Sequence, residues 1–106
     1  MHWALLLADF LAGAFLVNGV PHFVQGLSGH SFQTPFAKPP GVGESPALVN
    51  TLWGVFNLAV GVLLLWKVAP FNPDHLVPLG VTLLGGFLLA LYISTHFAKV
   101  RSRQAA

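Results

Sequence analysis

Apolar residues in this chain fall into three long stretches, which two segments rich in proline separate. The stretches cover residues 3–23, 47–69 and 76–98. Each is close to the ~20 residues that a helix needs to cross the hydrocarbon core of a bilayer. The run VLLL at 62–65 is apolar on every side, unlike the alternating strand of a membrane β-barrel. The pattern therefore predicts an all-α, membrane-embedded bundle of three transmembrane helices, forming a single domain over the whole chain.

The segments between the three stretches carry turn-forming residues. The first, residues 24–46, contains four prolines and four glycines, together with Phe32 and Phe36. It predicts a Pro/Gly-rich, phenylalanine-containing loop that is re-entrant or lies at the membrane interface. The second, residues 70–75, predicts a tight turn between antiparallel helices. Pro21 predicts a kink in the first helix or its end.

The basic residues indicate an orientation for three crossings. Lys38 falls in the first loop, and Lys99, Arg101 and Arg103 fall in a basic tail, residues 99–106. Lys67 alone falls on the other side of the predicted bundle. Because cytoplasmic segments carry the excess of lysine and arginine, the distribution predicts a periplasmic N-terminus and a cytoplasmic C-terminus in a bacterial inner membrane.

The composition narrows the class of protein. Of the 106 residues, 55% are apolar and 8% are charged, whereas soluble domains carry about 25% charged residues. This composition argues against a soluble enzyme. Because the sequence shows no basic face, no nucleic-acid partner is predicted. The absence of cysteine excludes disulfides and thiolate metal sites. The predicted surroundings are the lipid bilayer.

Small and polar residues form a stripe along the second helix. Asn50, Gly54, Asn57 and Gly61 are spaced by four, three and four residues, and so they share one helical face. Small residues let a neighbouring backbone approach, and asparagines can donate hydrogen bonds across the contact. We name these four residues the α2 seam and expect it to pack against another helix. An alternative is that Asn57 lines a pathway through the membrane.

Polar side chains near the predicted cytoplasmic end form a candidate ligand site. Tyr92 and His96 lie one turn apart on the third helix, and Asn18 and His22 lie one turn apart on the first. With Asn50 they would converge if the helices are suitably rotated. Two histidines on different helices could bind a haem, and a quinone or lipid is a further alternative. Three metal ligands cannot be assembled in the spans, so no metal site is predicted.

One acidic residue lies inside a span. Asp9 is about two turns from the predicted outer end of the first helix. A charged carboxylate is costly in hydrocarbon, and so it should be neutralised, paired or in contact with water. Lys67 and His75 are the expected partners on that side, either in an ion pair or in a proton relay.

Several short motifs resemble those of DoxX-like small bacterial membrane proteins. They are Gly19-x-x-His22-Phe23, Phe36 with Pro39-Pro40-Gly41, Leu52-Trp53-Gly54, and Gly61-Val62-Leu63-Leu64. The resemblance covers roughly residues 13–65. It implies a helical protein of the bacterial inner membrane and makes His22 and Phe23 possible site residues. DoxX-like proteins commonly have four helices, whereas this sequence predicts three.

No complete catalytic motif is present, and we expect a role without catalysis. The seam indicates a protein that acts by helix–helix association, either as a homo-oligomer or as an accessory subunit of a larger membrane complex. An oligomeric channel or transporter is one alternative. The other is a binder of a lipid, quinone or haem-type ligand at the cytoplasmic end of the bundle.

Overall fold

The computed structural model describes residues 2–105 and consists mainly of three helices. They are α1 (Trp3–Leu27), α2 (Ala47–Leu63) and α3 (Leu76–Ala105). A π-helical turn, Leu64–Val68, extends α2. Between α1 and α2 lie two short strands, β1 (Phe32–Gln33) and β2 (Glu44–Ser45). The strands pair antiparallel, with Phe32 opposite Ser45.

All three helical segments are long and apolar enough to cross a membrane. They are Trp3–Leu27, Ala47–Val68 and Leu76–Gln104. Most of their large apolar side chains point outward, such as Leu83 and Phe87 of α3, both more than half exposed. Exposed apolar side chains on this scale are stable in hydrocarbon rather than in water. The chain is a multi-pass membrane protein.

The central helix is α1, against which both α2 and α3 pack along their length. Glycines make the close approach possible. A Cβ atom at Gly13 would overlap the Thr82 carbonyl oxygen of α3, and one at Gly54 would overlap the backbone of Phe23. Because these positions lack side chains, backbone atoms of neighbouring helices come into direct contact.

Two helix boundaries differ from those predicted. The first helix continues through Pro21 to Leu27, because a missing proline N–H is tolerated in helices that neighbouring helices support. The third helix does not end at residue 98 but continues to Ala105, through the basic tail. Lysine, arginine and glutamine are good helix formers, and so the tail has no reason to leave the helix.

The predicted loop over 24–46 is shorter and more regular than expected. Residues 28–46, here called the hairpin segment, contain the β1–β2 pair, which is a small departure from an all-α fold. Its turn is closed by a hydrogen bond from the Gly41 amide to the Thr34 carbonyl oxygen (2.9 Å). Gly41 has a φ of 75°, a conformation that glycine adopts without strain.

The hairpin segment packs against one end of the bundle. The ring of Phe32 lies 4.8 Å from that of Phe97 on α3, and the Gly41 carbonyl accepts a hydrogen bond from His96. We call this the hairpin end. The other end, where α1 begins and residues 69–75 connect α2 to α3, is the opposite end.

Candidate ligand-binding site

Asn50 organises the hairpin end. Its side chain is fully buried, near the start of α2. Its amide nitrogen, Nδ2, donates to three backbone carbonyl oxygens, those of Phe32 (3.1 Å), Ser45 (3.0 Å) and Pro46 (3.3 Å). A single side chain therefore joins β1, β2 and the beginning of α2, and these bonds fix the orientation of its amide.

The fixed amide in turn determines the tautomer of His22. Asn50 Oδ1 lies 3.0 Å from His22 Nδ1, across the contact between α1 and α2. Because Nδ2 is committed to the carbonyl oxygens, Oδ1 accepts and His22 Nδ1 carries the proton. In the neutral ring, the other nitrogen, Nε2, is then a hydrogen-bond acceptor.

Aromatic rings surround His22. Phe32, Trp53 and Phe97 contact it edge-to-face, with centroid distances of 5.5, 6.3 and 6.2 Å. Such contacts hold an imidazole in one orientation. Only 3% of the His22 surface is exposed, so the ring is part of the interior of the protein.

The third helix contributes a second histidine. His96 Nε2 lies 2.7 Å from the Gly41 carbonyl oxygen and therefore donates to it. The His96 ring stacks on Tyr92, one turn earlier, with a centroid distance of 6.0 Å. The hydrogen bond joins α3 to the hairpin segment and places His96 on the same side of the bundle as His22.

These groups line a partly open cavity of about 190 Å³. All three helices and the hairpin segment contribute to its wall, including Asn18, His22, Gln33, Trp53, Tyr92 and His96. Two residues of the wall each have a buried polar atom without a hydrogen-bond partner among the described residues: Gln33 Oε1 and Trp53 Nε1. Unpaired buried polar atoms are rare and costly, and here both belong to residues that line one cavity.

A second cavity, of about 240 Å³, continues from the first along α1. The two share Asn18, Tyr92 and Ile93. The remaining wall of the second cavity is mainly apolar and includes Ala14, Phe15 and Leu89. We call this second cavity the side groove, because α1 forms its floor while α2 and α3 stand on either side.

The structure brings together most of the predicted ligand-binding residues. Asn18, His22, Tyr92 and His96 all line the 190 Å³ cavity, and Asn50 supports it. Phe23 is not among the residues that line the cavity: it packs against Gly54 of α2. A binding role for Phe23 stays a prediction.

Gln33 and Trp53 are among the cavity-wall residues that sequence reasoning missed. Gln33 is only 1% exposed and lies on β1. No signal in the sequence distinguishes it, because His30, Ser31 and Thr34 nearby are also polar. The position of Trp53 in the sequence predicts that it lies near the membrane interface, but its Nε1 atom is buried in the bundle. One turn of α2 separates it from Asn57, to which its carbonyl oxygen is bonded.

The α2 seam packs within the chain. All four of its residues are buried. Asn57 Oδ1 accepts a hydrogen bond from Asn18 Nδ2 of α1 (2.9 Å), and Gly61 lies against Leu16, which also belongs to α1. The seam is therefore the contact between α1 and α2, and its asparagines do not face a partner molecule.

Asp9 lies at the opposite end of the bundle. Only 4% of its surface is exposed, and it lines a cavity of about 290 Å³ together with His2 and His75. Within residues 2–105, the structure shows no ion pair between Asp9 and either expected partner. The Lys67 ammonium instead lies 4.3 Å from the ring centre of its neighbour Trp66, a cation–π contact.

The donor set at the hairpin end does not suit a haem. The cavity of about 190 Å³ is smaller than the roughly 300–1,000 Å³ that drug-sized ligands occupy. His96 Nε2 is already committed to the Gly41 carbonyl. In the described part of the chain, no three histidine or acidic side chains are grouped so that they could hold a metal ion.

Comparisons of the chain with protein-family models, curated proteins and solved structures found no match. The resemblance to DoxX-like proteins stays a prediction. Two of the residues that carry it have clear places in the structure: His22 lines the cavity, and Gly19 lies against Leu58 and the Gly54 carbonyl of α2.

Proposed function

We propose that this protein binds a small, uncharged, amphipathic molecule at the hairpin end. The polar head of the ligand occupies the 190 Å³ cavity, and its apolar part lies in the side groove. The observation that carries the proposal is the pair of buried, unpartnered polar atoms, Gln33 Oε1 and Trp53 Nε1, on residues that line one cavity. Leaving each such group unpaired costs about 1–3 kcal/mol, and a ligand that bonds both recovers that cost.

The cavity wall favours an uncharged head group. No aspartate, glutamate, lysine or arginine is among its residues. Glu44 and Arg101 instead line a separate open recess with His30. An ion moved into a wall of neutral and aromatic side chains would lose its hydration without gaining a counter-charge.

The side groove supports an apolar tail. Ala14, Phe15 and Leu89 form an apolar wall that begins at Asn18 and Tyr92, where the polar cavity ends. Binding sites commonly combine a mainly apolar lining with a few fixed polar groups that set the orientation of the ligand. A molecule dissolved in the bilayer can enter such a groove from the side without crossing water.

Trp53 provides a direct test because it lies at the site, while the other two tryptophans, Trp3 and Trp66, lie at the opposite end. A Trp53-only protein (Trp3→Phe and Trp66→Phe) in nanodiscs is titrated with two probes that quench tryptophan fluorescence by contact. One is a long-chain alkylphenol with bromine next to its hydroxyl group, and the other is the methyl ether of the same molecule. We expect at least one probe to quench Trp53 with saturation.

Two controls separate binding from partition into the bilayer. A Trp66-only protein should show quenching that rises without saturation, since Trp66 is exposed to the surroundings of the bundle. Ala14→Phe should fill the side groove and weaken saturable quenching at least tenfold, whereas Ala59→Phe, on an exposed face of α2, should not. If neither probe saturates Trp53, the proposed function is wrong.

The structure gives less direct support to a function in helix–helix association, as a homo-oligomer or an accessory subunit. That function depends on the α2 seam as a contact surface, and the seam residues already pack against α1. A channel route through Asn57 has the same weakness, because Asn57 is 1% exposed and bonded to Asn18. Binding at the hairpin end uses groups that the fold leaves unpaired.

We propose that the protein lies in a bacterial inner membrane, with the N-terminus periplasmic and the C-terminus cytoplasmic. The support is the distribution of basic residues: Lys38, Lys99, Arg101 and Arg103 belong to the hairpin end, and Lys67 to the opposite end. A reporter fused after the last residue should be active only in its cytoplasmic form. Activity on the periplasmic side would reverse the orientation.

A further inference from the structure

The cavity at the hairpin end has a distinct set of hydrogen-bonding groups. Trp53 Nε1 is a donor that has no acceptor. Gln33 Oε1 is an acceptor that has no donor, because the Gln33 amide nitrogen is turned toward Glu44 (3.4 Å). His22 adds a second acceptor, Nε2, since its Nδ1 proton is used by Asn50. The unfilled set therefore includes two acceptors and one donor.

We infer that the ligand carries a hydroxyl group, and that this group is attached to an aromatic ring. This inference rests on the proposed function and names the class of molecule bound. A hydroxyl can donate to Gln33 or His22 and accept from Trp53 at the same time, because it has one donor and two acceptor lone pairs. It is the smallest uncharged group that satisfies both kinds of atom.

Head groups that lack a hydrogen-bond donor match the set less well. A ketone, ester or ether oxygen accepts from Trp53 but leaves the acceptors Gln33 Oε1 and His22 Nε2 facing another acceptor. A carboxylate has only acceptors when ionised and also brings an uncompensated charge. Sites built to bond a hydroxyl reject analogues that lack it, because the buried groups of the protein are then left unpaired.

The cavity wall favours an aromatic ring beside the hydroxyl. The rings of His22, Trp53, Tyr92, His96 and Phe97 all contribute to it. Ring–ring contacts add about 0.5–1.5 kcal/mol beyond the burial of area. An apolar cavity of about 150 Å³ accepts one benzene molecule, and this cavity, at about 190 Å³, has room for a ring with one substituent.

The test compares the alkylphenol and its methyl ether on the Trp53-only protein. The two probes share ring, bromine and tail; in the ether a methyl group replaces the hydroxyl hydrogen, so the hydrogen-bond donor is lost, and the Gln33 variant below separates this loss from the added size. We expect the phenol to bind at least tenfold more tightly. Equal affinities, or tighter binding of the ether, would overturn the inference while leaving the proposed function in place. Failure of both probes to bind would overturn both.

A pair of glutamine variants tests the role of Gln33. Gln33→Met keeps the length of the side chain but removes Oε1. We expect it to weaken binding of the phenol about tenfold and to leave binding of the ether unchanged. Gln104→Met is the matched control. Gln104 also donates to Glu44 (3.3 Å), but it is exposed and lies outside the cavity. Equal losses in both variants would show that Gln33 acts through Glu44 and would overturn its assigned role.

A competition experiment separates the two sources of a hydroxyl group. An unbrominated alkylphenol and a straight-chain alcohol of the same carbon number are each used to displace the bromophenol. We expect the phenol to displace it at a concentration at least fivefold lower. If the alcohol is equally effective, the assignment of an aromatic head is wrong.

Discussion

The two ends of the bundle differ in the hydrogen bonding of one deeply buried polar side chain, Asn50 at the hairpin end and Asp9 at the opposite end. At the hairpin end, Asn50 bonds three carbonyl oxygens and His22, so that its polar atoms are all used. At the opposite end, Asp9 is almost as deeply buried but has no hydrogen-bond partner among the described residues. It faces a cavity that His2 and His75 share.

The forces that hold the helices together differ in the same way. Near the hairpin end, side-chain hydrogen bonds join α1, α2 and the strands, in addition to backbone contacts at Gly26 and Gly54. Further along the bundle, α1 and α3 are held by backbone contact, at Gly13 against Thr82 and at Gly85 against Phe10. Hydrogen bonds specify the orientation of individual groups, whereas close packing specifies only distance. A site that must present particular atoms is therefore expected at the hairpin end.

Replacing the central asparagine should produce the largest effect. Asn50→Leu keeps the branched shape of the side chain but removes the donor to three carbonyl oxygens and the acceptor of His22. At about 1 kcal/mol for each of these four contacts, we expect the free energy of unfolding in detergent to fall by about 4 kcal/mol. Titration with sodium dodecyl sulfate, followed by circular dichroism, measures it.

An asparagine at the opposite end is the matched control for this change. Asn72 is exposed and accepts one hydrogen bond, from the Asp74 amide (2.9 Å). Asn72→Leu should change the free energy of unfolding by less than about 0.5 kcal/mol. Similar losses in Asn50→Leu and Asn72→Leu would contradict the contrast between the two ends.

Adding one methyl group to a packing glycine should have an intermediate effect. In Gly13→Ala the new Cβ overlaps the Thr82 carbonyl, so α1 and α3 must separate, at a cost of about 2 kcal/mol. Gly80, also in a helix, has nothing within 4 Å of its Cβ position. Gly80→Ala should therefore stabilise the protein, by about 0.5–1 kcal/mol, because alanine restricts the unfolded backbone. Unfolding titrations of both variants should show changes of opposite sign.

The hydrogen bond between Asn18 and Asn57 should contribute least. It is a single bond between α1 and α2, and interhelical bonds in membranes average about 0.6 kcal/mol. A double-mutant cycle with Asn18→Leu and Asn57→Leu should give a coupling energy near that value. A coupling above about 2 kcal/mol would mean that side-chain hydrogen bonds stabilise the middle of the bundle as strongly as they stabilise the hairpin end.

Hydropathy and spacing predict much of this structure from the sequence. The starts of all three helices were predicted at Trp3, Ala47 and Leu76, because the apolar stretches begin there abruptly. The stripe of Asn50 and Asn57 was visible because helical spacing places both on one face. These features depend on neighbours along the chain.

The remaining features depend on contacts between distant residues. Whether a helix continues past Pro21 depends on the helices packed around it rather than on the proline itself. The place of Gln33 in the cavity wall depends on strand pairing between β1 and β2, a contact that no local pattern encodes. Likewise Phe23 and His22 are adjacent in sequence, and only the rotation of α1 separates the cavity residue from the packing residue.

The position of α3 has a consequence for the order in which the protein is made. Tyr92, His96 and Phe97 complete the cavity wall, and all three belong to α3, which leaves the ribosome after α1 and α2. Chains are synthesised from the N-terminus, and so the first two spans enter the membrane before this wall exists. The proposed ligand can therefore bind only after α3 has been made and has packed against α1, and a chain that stops after the second span would lack a complete cavity.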